Sequence, residues 1–265
     1  MIRWLPLAFV LAVASPAFAQ EKKEAKDEGK DYLSDADAKK HIEEWQKAWK
    51  KCKGLDDQIR SIEDLGAKKH PKILDELKKH LGSGSLEVRI TAADMIGKYK
   101  KEDKAADALF ASAKGCCNRK ETMELAVKSI RYLGNTGVRT KVKEMLPFFD
   151  HKETDFAKEA IDTAGALKSK DAIDPLVNMV LFLEAVKEDT NNGNTGGQQL
   201  PGGQYPGANQ PGGQQEDEKV KRKKELLNPA IQALKDITGE KLNTGTEWKR
   251  WWGKNKATFK ELEDK

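Results

Sequence analysis

Apolar residues along most of this chain recur three and four positions apart, which places them on one face of a helix. Ile73, Leu74, Leu77 and Leu81 make one such stripe, and LEVRITAADMIG at Leu86–Gly97 makes the next. Between them, Gly82-Ser83-Gly84-Ser85 breaks the chain and leaves a serine to cap the second helix. Val142, Met145, Leu146 and Phe149 follow the same spacing, as do Ile173, Leu176, Val177 and Val180. Pro175 falls in the first turn of the latter helix, where a missing N–H is no handicap. β-Branched runs are nearly absent, while Ala, Leu, Lys and Glu, all strong helix formers, dominate. The pattern predicts an all-α protein.

The second-helix pattern returns at 124–134 (ELAVKSIRYLG) and 155–165 (DFAKEAIDTAG), with a weaker version closing at Leu65-Gly66. The terminal glycines, Gly66, Gly97, Gly134 and Gly165, are 31, 37 and 31 residues apart. A helix with one apolar stripe cannot bury it alone. A period of this length, with two helices per unit, therefore indicates hairpins stacked side by side. Each glycine is expected to end its helix in the left-handed conformation, which glycine adopts at little cost.

Glu87-Val88-Arg89-x-x-Ala92-Ala93-x-x-Ile96-Gly97 resembles the second helix of a HEAT repeat, and the resemblance extends over residues 55–239 apart from an insertion described below. It implies a right-handed α-solenoid of about five HEAT-like helix pairs, with a flanking N-terminal helix and a C-terminal Trp-rich helix. Two features depart from the family pattern. Gly-Ser around position 84 replaces the turn aspartate, and the motif arginine survives only as Arg89, with Ala126 and Ala157 at the matching places. An Asp–Arg ladder through the core is therefore not expected. Ala233-Leu234-Lys235-Asp236-Ile237-Thr238-Gly239, followed by Trp248, Trp251 and Trp252, is similar to the close of many exported bacterial HEAT-repeat proteins. The three tryptophans, at i, i+3 and i+4, share one face of a short helix. They either seal the open end of the solenoid or form an aromatic platform for sugar rings. Trp45 and Trp49, near the other end, invite the same capping interpretation.

The chain divides into residues 1–19, 20–34, 35–189, 190–215 and 216–265. The first segment reads as a signal peptide. Arg3 supplies a positive start, residues 5–14 are apolar but too short to span a bilayer, and Ala17-Phe18-Ala19 offers a cleavage site. Cleavage after Ala19 predicts a periplasmic or secreted protein with no integral membrane segment. Residues 20–34 form a charged, apolar-poor lead expected to be disordered. Residues 190–215 are uncharged and rich in Gly, Gln, Asn and Pro, which predicts a disordered insertion between the helices of the last repeat. The final segment supplies the last repeat helix and the capping helix.

Charged residues make up 34% of the chain, and the net charge of +5 becomes +4 once Arg3 is removed with the signal. Both signs are closely mixed (EKKEAKDEGK), unlike the single-sign field that draws a protein to nucleic acid. Aligning the second helices on their terminal glycines makes the same point. Glu63, Asp94, Arg131 and Asp162 fall in one row, and Arg60, Thr91, Lys128 and Glu159 in its neighbour. Signs alternate, so adjacent repeats offer each other ion-pair partners where a phosphate-tracking groove would need one sign.

Chemistry finds no purchase. Cys52, Cys116 and Cys117 complete no metal or disulfide framework, and His41, His70, His80 and His151 fit no ligand spacing. No Gly-rich phosphate loop, His-Glu-x-x-His or Gly-x-Ser-x-Gly occurs. The expectation is a non-catalytic scaffold without metal or cofactor, binding a protein or peptide through Asp94, Lys128, Arg131, Glu159 and Asp162. The alternatives are an envelope glycan held by Trp248, Trp251 and Trp252, or an enzyme with an unrecognised site.

Overall fold

In the computed structural model, which describes residues 32–82, 84–186 and 212–261, helix follows helix across short turns. Helix α1 (Asp35–Trp49) pairs with α2 (Leu55–Gly66), and α3 (Pro71–Lys79) with α4 (Leu86–Gly97). The third pair is α5 (Asp103–Cys116) and α6 (Met123–Thr136). The fourth is α7 (Val142–Met145), continued by a 3-10 turn at Leu146–Asp150, and α8 (Thr154–Ala166). The fifth is α9 (Ile173–Ala185) and α10 (Gly212–Thr238), and α11 (Gly245–Asn255) packs on α9. Among the described residues the fold is all-helical; the one β contact is an isolated bridge between Tyr32 and Lys69.

Local chemistry starts these helices where the polar residues stand. Ser85 Oγ accepts the Val88 N–H at 3.3 Å, as its position after the Gly-Ser break predicts. Ser34 caps α1 in the same way, at 3.2 Å from the Asp37 nitrogen. His70 takes this role for α3, its Nδ1 accepting the Lys72 N–H at 3.2 Å ahead of Pro71. At α11, Thr244 and Glu247 form a reciprocal capping box.

The second helices pack on one another in chain order, α2 on α4, α4 on α6, α6 on α8 and α8 on α10. Their inward residues, among them Leu65, Ile96, Leu133 and Ile161, are fully buried. Each such side chain contributes about 1.5–3 kcal/mol by leaving water.

The glycines that mark the repeat do something other than expected. Gly66 and Gly97 are the last residues of right-handed helices, Gly165 is the last but one of α8, and Gly134 lies inside α6. Left-handed backbone occurs instead at Lys101, Lys168, Gly84, Gly137 and Gly239. The marked glycines lie where neighbouring second helices touch. A Cβ on Gly97 would stand 2.8 Å from Tyr132 Cβ and 3.0 Å from the Tyr132 carbonyl oxygen. One on Gly165 would stand 2.9 Å from Ala233 Cα, one on Gly134 3.2 Å from Thr163 Cγ2, and one on Gly66 would overlap Met95. Close helix approach, not chain reversal, accounts for the glycine at each seam.

Other boundaries also move. The stripe from Val142 to Phe149 is not one α-helix but a turn of α-helix running into a 3-10 turn. Pro147 sits at the changeover, with no N–H to donate and a ring that crowds the preceding turn. The stripe still faces inward, with Val142, Met145 and Phe149 buried. The lead 20–34 is ordered at its end, where Leu33 N–H donates to the Lys69 carbonyl at 3.1 Å. Helix α10 begins at Gly212, inside the stretch 190–215 expected to be irregular. Residues 1–19, expected to be a signal peptide, the lead up to residue 31 and the expected insertion up to residue 211 lie outside the described residues.

Candidate partner-binding cleft

Between α6 and α8, which also touch at Gly134 and Thr163, lies a cleft of about 470 Å3. Met123 and Val127 of α6 form its apolar part, and both are partly exposed. Arg131 stands on one wall and Glu159 and Asp162 on the other. Three of the five residues predicted to contact a partner are therefore brought together.

Arg131 and Glu159 face one another across the cleft. Arg131 Nε donates to Glu159 Oε1 at 3.0 Å and Nη2 to Oε2 at 2.5 Å. This two-pronged contact raises the Arg131 pKa further above its ordinary value. The pair joins one predicted row to the other diagonally. Asp162, in the row of Arg131, makes no ion pair among the described residues; burial raises its carboxyl pKa, with Lys158 opposing and Glu159 adding to the shift. Asp94 does not line the cleft and pairs within its own helix, with Lys98 at 3.3 Å. Lys128 lies one turn before Arg131 on α6, half-buried and outside the cleft lining. The expected exchange of charges between every pair of adjacent second helices is thus found at one seam.

The rows chosen from the sequence missed the apolar part of this surface. Counting back seven residues from each terminal glycine gives Ile59, Ile90, Val127 and Lys158. The three apolar members are only partly buried. Counting back ten gives Asp56, Glu87, Glu124 and Asp155, an acidic residue in the first turn of each second helix. That location is favourable beside the positive end of a helix dipole. The same alignment that picked out the charged rows contains both of these.

The tryptophans divide differently from a flat platform. Trp248 is fully buried and Trp252 is 7% exposed, so both belong to the core. Trp252 Nε1 donates to Asp174 Oδ1 at 2.7 Å, and Lys256 Nζ to Oδ2 at 2.6 Å. The bond from Lys256, reinforced by that from Trp252, holds the Asp174 carboxyl below the usual carboxylate range. Trp251, partly exposed, lies between Trp252 and the edge of Phe259. Glu184 of α9 accepts the Gly245 N–H at 3.0 Å and holds the start of α11. A sugar platform needs open ring faces, and two of these three rings are buried. At the other end Trp45 is buried, its Nε1 donating to the Ser61 carbonyl at 2.6 Å. His80 packs edge-on against Trp45 and Trp49, and burial lowers its pKa.

The remaining reactive side chains serve the packing. Arg89 Nε donates to the Leu81 carbonyl at 2.9 Å and Nη2 to Cys116 Sγ at 3.4 Å, tying α4 to the end of the preceding hairpin helix and to α5. Cys52, Cys116 and Cys117 are free thiols. Among the described residues no group of three His, Cys, Asp or Glu side chains is placed to hold a metal ion. None of the described helices is long and apolar enough to cross a membrane. Comparison of the chain with known protein families, with curated proteins and with solved structures finds no match.

Proposed function

We propose that this chain is an exported, non-catalytic scaffold, a right-handed α-solenoid of HEAT-like helix pairs that binds a protein or peptide along the concave surface built by its second helices. The observation that carries the reading is the succession of α2, α4, α6, α8 and α10, each packed on the next. Helices arranged so expose one face each, side by side, and give an extended partner a continuous surface to follow. The glycine at each seam supports the same arrangement, because it leaves room for the next second helix, for its side chain at Gly66 and Gly134 and for its backbone as well at Gly97 and Gly165. The α6–α8 cleft, with Arg131, Glu159 and Asp162 around it, is the central part of that surface. Exposed ion pairs contribute about 0–1 kcal/mol each, so these side chains act on partner choice and encounter more than on folding.

Crosslinking and pull-down from native envelope extract tests the reading. The wild type is expected to capture a discrete partner, and the doubly reversed Lys128→Glu/Arg131→Glu protein to lose it while keeping its helical circular dichroism. Undiminished capture by that variant would remove this face from consideration. Sequencing the N-terminus of the extracted protein tests export separately, with Gln20 as the expected first residue.

A further inference from the structure

We infer that the α6–α8 cleft seats a lysine or arginine side chain of an extended partner segment, with the aliphatic stem on Met123 and Val127 and the charge among Glu124, Asp155 and Asp162. This rests on the reading of the second-helix face as the partner surface, and it names the chemistry of what binds there. Four observations lead to it. The floor is apolar yet open, as a long aliphatic stem requires. Arg131, the cleft's own guanidinium, is already taken up by both oxygens of Glu159. What remains around the cleft is three carboxylates, Glu124, Asp155 and Asp162, against the single ammonium of Lys158. None of these three makes an ion pair among the described residues, although the chain as a whole carries a net charge of +5.

The sequence repeats these residue types on the preceding second helices. Ile59 and Ile90 continue the apolar row of Val127, and Asp56 and Glu87 continue the acidic row of Glu124 and Asp155. A partner with basic residues at intervals can therefore meet the same pair of surfaces on successive helices. A neutral apolar partner would use the floor and leave the excess of carboxylates over Lys158 unbalanced. An acidic one would be repelled by them. Asp162, whose pKa is raised by burial and by the like charges of Glu159 and Asp236, gains from an incoming cation.

Short labelled alanine-glycine peptides carrying lysines, norleucines or glutamates at the same positions test the assignment by fluorescence anisotropy on the full chain. The lysine peptide is expected to bind most tightly and the glutamate peptide least. Asp155→Asn/Asp162→Asn should weaken the lysine peptide about tenfold, the effect of removing close charge partners, and leave the norleucine peptide unchanged. Lys158→Glu should strengthen the lysine peptide. Equal affinity for lysine and norleucine, or lysine binding indifferent to the double aspartate substitution, would overturn the inference. Capture of the envelope partner separates the two readings. Loss on Asp155→Asn/Asp162→Asn supports the cation seat, whereas loss on Lys128→Glu/Arg131→Glu alone keeps the partner surface and rejects the seat.

Discussion

Adding one methyl group at Gly97 gives a direct reading of how the second helices meet. The new Cβ would stand 2.8 Å from Tyr132 Cβ and 3.0 Å from the Tyr132 carbonyl oxygen, so α6 itself must retreat. Gly115 is the matched control, since it too lies in the last turn of a helix and a Cβ there meets nothing within 4 Å. Replacing glycine by alanine in a helix brings up to about 1 kcal/mol of propensity in both proteins, so their difference isolates the packing. Forcing extra volume into a closed contact costs about 1–3 kcal/mol. Gly115→Ala is thus expected to match or exceed the wild type in urea unfolding followed by circular dichroism. Gly97→Ala should fall about 1–3 kcal/mol below it. Gly134→Ala should lie between them, because its nearest obstacle is the Thr163 methyl at 3.2 Å, which can yield by a few tenths of an ångström. If Gly97→Ala proves as stable as Gly115→Ala, the glycines are not contact residues and the account of the seams fails.

Two further outcomes follow from burial. Trp248→Ala, removing a fully buried indole, should cost about 3–5 kcal/mol and lower the thermal midpoint sharply, while Trp251→Ala, at a partly exposed ring, should do much less; equal losses would refute the distinction between the two. His80 is held below its ordinary pKa of 6.5 by burial, opposed by Glu76 and assisted by Lys79, so the folded state takes up its proton less readily than the unfolded chain. Stability should therefore fall as pH drops through 6.5 and level off below the lowered folded value. His80→Gln should flatten part of that fall in unfolding curves taken at successive pH values. His151, also lowered by burial, should sustain the rest, and an unchanged slope in the His80 variant would contradict the shift.

Features that depend on neighbours in the chain were legible from the residues alone. Ser85 stands between a flexible Gly-Ser break and an apolar stripe, and its hydroxyl does cap the helix that follows. The stripes themselves marked the buried faces because helical period is a local property. Gly97 shows where this ends. Its position at the close of a repeated motif was visible, but whether a glycine turns the chain or admits a neighbour is decided by a helix 35 residues further on, at Tyr132. Pro147 gave a local warning that the Val142 stripe could not continue as α-helix, and period counting passed over it. The charged rows failed for a similar reason. Asp94 has Lys98 four residues away on its own helix, and that partner is reached without crossing a seam. Only where no such local partner competes, at Arg131, does the charge reach across to Glu159. The tryptophan helix was recognisable, but a spacing that puts three rings on one face cannot say whether that face meets solvent or α9. The burial of Trp248 answers that.

The seam between α6 and α8 carries both a close contact and a cleft. Near the C-terminal ends, Gly134 meets the side chain of Thr163, whose Cγ2 would stand 3.2 Å from a Cβ on the glycine. Toward the N-terminal ends the facing residues are Met123, Val127 and Arg131 on one helix and Asp155, Lys158 and Glu159 on the other. Between these side chains the space fills only in part, leaving the cleft of about 470 Å3. The Arg131–Glu159 pair bridges the gap at the point where the two side chains can still reach. Beyond it, the first turn of each helix carries the acidic residue that its own dipole favours, Glu124 on α6 and Asp155 on α8. The charge of the cleft's open end is therefore inherited from helix stability.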